Sequence, residues 1–215
     1  QKINQTLQIL LFISLPMTLG LSFLARPVWD IFYGSRSMYG AEIISYFIFV
    51  ALIISTYTAL VSIVQVLKYY KEVLISLVAG VLIKLACNVL FMNLFAKMGF
   101  LAIYGSITAT ILGYSVGIIL CLFFLHRKCG VHYGPTVKLL GKIILADIAM
   151  IVGLYLLSLI IPICVSSRMI NILLVAVYTI VGAIIYFIVS YKLGLIDKIF
   201  GDNLLQKLKK RLRRK

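Results

Sequence analysis

The sequence predicts an all-α membrane protein: a polytopic bundle of six transmembrane helices (residues 1–191) followed by a basic amphipathic cytoplasmic tail (192–215). Three observations predict it. Hydrophobic residues make up 63% of the chain and charged residues 13%, with a mean hydropathy of +1.11, where a soluble domain holds roughly 45–50% apolar and about 25% charged residues. Six apolar runs are long enough to cross ~30 Å of hydrocarbon, which takes about 20 helical residues. Of the 21 Lys+Arg, against 6 Asp+Glu, sixteen gather on one side of those runs. This composition excludes an ordinary soluble enzyme, a disordered chain and a disulfide-stapled domain. The chain opens on Gln1, and no charged n-region with a cleavage site precedes the first run. It therefore reads as a piece of a longer polypeptide rather than a precursor with a signal peptide.

The first run, about Leu7–Ala25, has Pro16 in its middle and Gly20 one turn later. A proline there leaves a carbonyl without its helical partner and bends the helix, which suits a cavity-lining element or a static kink. Arg26-Pro27 through Gly40 reads as a polar break. The second run, about Ala41–Leu67, ends around Gln65, and Lys68–Glu72 separates it from the third, about Val73–Phe95. Midway along the third lies Lys84, with Asn88 one turn on and on the same face. A lysine at that depth costs roughly 2.5–3.5 kcal/mol on insertion scales, so it should face a water-filled cavity or a partner. Lys84 and Asn88 together offer donors suited to phosphate or sugar hydroxyls; a structural lysine satisfied by neighbouring carbonyls or a carboxylate is the plainer reading.

The fourth run, about Leu101–Leu125, carries Gly105, Ala109, Gly113 and Gly117 at a spacing of four. Such a row lets another helix approach closely, and Ser106 and Thr110 flank it in position to bond across. The fifth, about Leu139–Ile161, follows the basic stretch His126–Lys138 and holds Asp147, the one acid away from the ends of a run. Asp147 sits about two turns from the cytoplasmic end of that run, either as a coupling position for H⁺ or Na⁺ or as an interfacial carboxylate held by Lys142 or water. A Lys84–Asp147 pair would require the third and fifth runs to touch. Pro162–Met169 leads to the sixth run, about Ile170–Tyr191. Cys87, Cys121, Cys129 and Cys164 show no CxxC spacing and read as buried free thiols.

Orientation follows from the basic residues. Lys2, Lys68, Lys71, Arg127, Lys128, Lys138, Lys142 and the nine basic residues from Lys192 onward fall on one side, with Arg26, Arg36, Lys97 and Arg168 on the other. Both ends of the chain are therefore expected in the cytoplasm. In the tail, Phe200, Leu204, Leu208 and Leu212 form an apolar stripe, with Lys207, Lys209, Lys210, Arg211, Arg213 and Arg214 on the other faces. That pattern fits a helix lying on anionic lipid headgroups rather than on nucleic acid, or a solvated end with a purely topological role. No catalytic motif and no cluster of metal ligands is visible, so neither an enzyme nor a cofactor is expected.

Several stretches together resemble flippases of the multidrug/oligosaccharidyl-lipid/polysaccharide exporter superfamily, in particular its lipid II flippase and stage V sporulation protein branch. They are Leu15-Pro16-Met17-Thr18-Leu19-Gly20-Leu21 running to Ala25-Arg26-Pro27 and Tyr33-Gly34, and Ser62-Ile63-Val64-Gln65. Further on come Ile83-Lys84-Leu85-Ala86-Cys87-Asn88, and Gly99 through Gly105-Ser106-Ile107-Thr108-Ala109-Thr110. The resemblance covers essentially the whole chain, and it implies the last six of fourteen helices, with about eight upstream. It implies a multi-pass protein of the bacterial inner membrane that moves an undecaprenyl-diphosphate-linked sugar across it by alternating access. The first four runs would complete one lobe, and the last two would line a hydrophobic groove for the lipid tail. Gln65, Lys84 and Asn88 match interior polar positions, while the diphosphate-binding arginines belong to the upstream helices. A capsular or O-antigen repeat-unit flippase, a cation-coupled drug exporter and a non-transporting membrane scaffold are the alternatives.

Overall fold

In hydrocarbon every backbone N–H and C=O must pair within its own segment, so long apolar runs become helices. The computed structural model describes residues 2–34, 38–163 and 167–200. Its elements are α1 (Lys2–Phe23), α2 (Ala25–Tyr33), α3 (Met38–Val66), α4 (Tyr70–Lys97), α5 (Ala102–Cys129), α6 (Gly134–Ile160), α7 (Arg168–Lys192) and the short α8 (Leu195–Phe200). Among the described residues there is no strand, and six helices, all but α2 and α8, are long and apolar enough to span a membrane. The protein is a multi-pass helical bundle. Arg36, Cys164 and the tail residues Lys207, Lys209, Lys210, Arg211, Arg213 and Arg214 lie outside the described residues.

The stretch after Arg26-Pro27, read from sequence as a polar break, is in fact mostly helix. Pro27 has no N–H to continue the preceding helix, so α1 ends at Phe23 and the chain re-enters as α2. α2 buries Ala25, Pro27 and Asp30 and leaves Phe32 and Tyr33 exposed. It bridges α3 and α7, with the Trp29 ring lying against Gly40. At the other end of the bundle, Gly130 closes α5 in the left-handed conformation (φ 62°), and its N–H donates to His126 O at 3.0 Å.

α1 is the hub. On one side it packs against α3, which leads to α5 and then α4; on the other it packs against α6, which leads to α7. Among the described residues neither α6 nor α7 packs against α3, α4 or α5. A Lys84–Asp147 pair is thereby ruled out, since α4 and α6 do not meet. Two cores flank α1. Tyr57, Leu60, Val64, Cys121 and Leu125 surround Leu7, while Phe12 lies among Ile143, Met150, Leu154, Tyr178 and Tyr186. Asn4 Nδ2 donates to His132 O at 2.8 Å and Gln5 Nε2 to Ile199 O at 3.2 Å. An ion pair joins Lys128 to Glu72. The start of α1, the α3–α4 and α5–α6 connections and α8 therefore share one end of the bundle. Of the cysteines, Cys121 is buried but Cys87 is half-buried and Cys129 exposed, which corrects the uniformly buried reading.

Candidate functional site

Because the two groups of helices meet only through α1 and α2, a space opens between them. It is a cavity of about 640 Å³, partly open to the surroundings, floored by α1 and walled by α3, α6 and α7. Gly20, Ala51, Gly182 and Ala183 give it width, and Phe12, Met150, Leu154, Tyr178 and Phe187 give it apolar walls. Two of the polar groups around it are tied down locally, while Ser14 Oγ is buried without a partner among the described residues. Thr18 Oγ1 donates to Ser14 O at 2.7 Å, within α1, and Tyr178 OH donates to Ile161 O at 2.6 Å. The surface that remains is hydrocarbon and ring face, suited to an apolar chain.

Pro16 shapes the floor. Lacking an N–H, it leaves Phe12 O without its usual helical donor, and the buried hydroxyl of Tyr186 on α7 donates to that carbonyl at 2.8 Å. The Phe12 and Tyr186 rings are 5.2 Å apart. One sequence feature, a proline in mid-run, thus fixes where α7 attaches to α1. The signal visible in the sequence was the orphaned carbonyl; its partner could come from any tyrosine in another span.

Beside this contact lies Asp147. α6 runs from 134 to 160, so Asp147 is its middle residue, deeper than a run starting at Leu139 suggested. It is 1% exposed, and neither carboxylate oxygen has a hydrogen-bond partner among the described residues; nor does the buried Ser190 Oγ. Lys142 does not hold Asp147: it donates to Leu193 O at 2.9 Å.

Lys84 and Asn88 are both half-buried on α4, and Asn88 Oδ1 is buried without a partner among the described residues. Gln65 does not join them. It is exposed in the last turn of α3, whereas Lys84 lies 14 residues beyond Tyr70 on the antiparallel α4, about 20 Å away along the axis. The small-residue row of α5 lies at a helix crossing. A Cβ on Gly113 would come within 2.7 Å of Gly80 O and 2.9 Å of Lys84 Cβ, one on Gly105 would strike the Phe91 backbone, and one on Gly117 would come 2.7 Å from the Tyr57 ring. Ala109 is fully buried. Thr110 does not bond across this row but donates to Ser106 O in its own helix at 3.0 Å; the bond that crosses to α3 joins Thr108 and Tyr46 at 2.9 Å. Among the described residues no three His, Cys, Asp or Glu side chains gather as metal ligands.

Over 210 residues, 95% of its length, the chain is 31% identical to the lipid II flippase MurJ of Bacillus subtilis (strain 168), of which it spans 38%. The relationship expected from the motifs around Pro16, Lys84 and Gly105 is present. No family model matches the chain, and no solved structure matches it.

Proposed function

We propose that this chain forms part of a flippase that carries an undecaprenyl-diphosphate-linked cell-wall precursor of the lipid II kind across the bacterial inner membrane by alternating access. The observation that carries the proposal is the apolar groove between α1, α3, α6 and α7, in a chain 31% identical to a lipid II flippase. Its volume lies within the roughly 300–1,000 Å³ of ligand cavities, and its lining offers an isoprenoid tail an apolar path while leaving the polar headgroup to other surfaces. The two helix groups pack against α1 and α2 but not directly against each other, so the groove between them is open to an apolar chain entering from the side.

In this reading both ends of the chain are cytoplasmic, following the basic residues at that end of the bundle. Asp147 is the coupling position for a cation, H⁺ or Na⁺, because a carboxylate without partners at mid-membrane is costly unless it serves a function. Lys84 and Asn88 contribute polar contacts on the lobe of α3, α4 and α5. The chain spans 38% of the relative's length, and the remaining surfaces of the substrate path would come from the part that it does not span. The proposal is tested by depleting the protein in its host and measuring lipid-linked precursors. Build-up of an undecaprenyl-diphosphate cell-wall intermediate on the inner face supports it; build-up of a capsular or O-antigen repeat unit instead would assign the groove to that substrate.

A further inference from the structure

At the end of the bundle that holds α8 and the start of α1, a second cavity of about 540 Å³ opens between α1, α6 and α8. Lys138 and Lys142, one turn apart on α6, line it together with Lys198 of α8 and Gln8 of α1, and among the described residues no acid lines it. Lys142 donates one proton to Leu193 O, which leaves it two more. Gly134 and Pro135, which begin α6, also line it. That helix start has no side-chain cap and no acid in its first turn, so the positive end of its dipole adds to the three ammonium groups. Gathered cations repel one another unless an anion lies among them.

We propose that this cavity binds the phosphate headgroup of an anionic glycerophospholipid from the leaflet at that end of the bundle. Two observations select a lipid over a free phosphate. The site lies at headgroup depth: Lys138 and Lys142 stand about 6 and 12 Å along the axis of a membrane-spanning helix from its first residue. Beyond them on α6, Ile144, Leu145, Ile148 and Val152 are each about half exposed, an apolar strip leading from the lysines into the hydrocarbon. A headgroup joined to acyl chains uses both surfaces, and a free phosphate uses only the first. Basic pockets between membrane helices recognise anionic headgroups in this way.

The test is lipid titration of the detergent-purified protein, read by native mass spectrometry, with phosphatidylglycerol, phosphatidylethanolamine and glycerol 3-phosphate as probes. Lys138→Gln/Lys198→Gln leaves the Lys142–Leu193 bond intact and should weaken phosphatidylglycerol binding about tenfold or more. Adding Lys142→Gln should weaken it further. The tail variant Lys207→Gln/Lys209→Gln/Lys210→Gln should retain the tightest-bound phosphatidylglycerol, and phosphatidylethanolamine should bind weakly to all forms. Undiminished phosphatidylglycerol binding by the double variant at an unchanged melting temperature would overturn the proposal, as would equal binding of the two lipids. Displacement of phosphatidylglycerol by glycerol 3-phosphate at equal concentration would assign the cavity to free phosphate instead.

Discussion

The two flanks of α1 are built by opposite means. On the α5 side, glycine meets backbone: Gly113 lies against Gly80 and Lys84, and Gly105 against Phe91, too close for any side chain to intervene. On the α6–α7 side, large side chains such as Met150, Leu154, Tyr178 and Tyr186 meet around a cavity. Lipid tails are as apolar as leucine, so membrane helices gain little by burying apolar area and are held by close contact and buried hydrogen bonds. The difference therefore separates a lobe fixed by backbone contact from one that leaves room for an apolar guest, joined to α1 at a few specific points.

The largest effect is expected where contact is closest. Gly113→Leu places its side chain against carbonyl and Cβ atoms that no rotamer change can clear, and should cost about 3 kcal/mol or more. Leu112→Ala, at a position 38% exposed, should be much milder. Thermal unfolding in detergent compares them, and equal tolerance would show that the α4–α5 crossing does not depend on small residues.

On the other flank the hydrogen bond between α7 and the kinked turn of α1 can be tested by itself. Tyr186→Phe should cost about 1–2 kcal/mol by removing the hydroxyl that donates to Phe12 O. In the Pro16→Ala background the same change should cost less, because the alanine restores a backbone N–H that can donate to that carbonyl. A double-mutant cycle with no coupling between positions 16 and 186 would refute the proline-carbonyl account. Smallest is Asp147→Asn: replacing a buried, unpartnered carboxylate by a neutral amide should leave the melting temperature unchanged or slightly higher while altering the ion dependence of transport. A marked loss of stability would make Asp147 structural instead.

The same contrast marks what the sequence could show. The six spanning helices were legible because run length alone decides them, and the glycine row because its spacing of four is written into one segment. α2 was hidden by Arg26-Pro27, which signals a break in one helix but not the start of another. The depth of Asp147 was misjudged because Pro135 looks like loop, although proline is tolerated in the first turn of a helix. The groove was not legible at all. Its walls come from four segments far apart in the chain, and nothing in Phe12, Ala51, Leu154 or Ala183 taken singly distinguishes a cavity wall from a lipid-facing residue.

Ala183 lines the groove and is exposed, so Ala183→Trp fills it without displacing a core side chain. Leu156, 56% exposed on α6 and outside the groove, provides the control Leu156→Trp. Complementation of a depleted strain at native expression, scored by lipid-linked precursor levels, is the direct test of the groove's role. Ala183→Trp should fail to complement and let precursor accumulate, while Leu156→Trp complements; full complementation by Ala183→Trp at normal abundance would show that the groove does not carry the lipid tail.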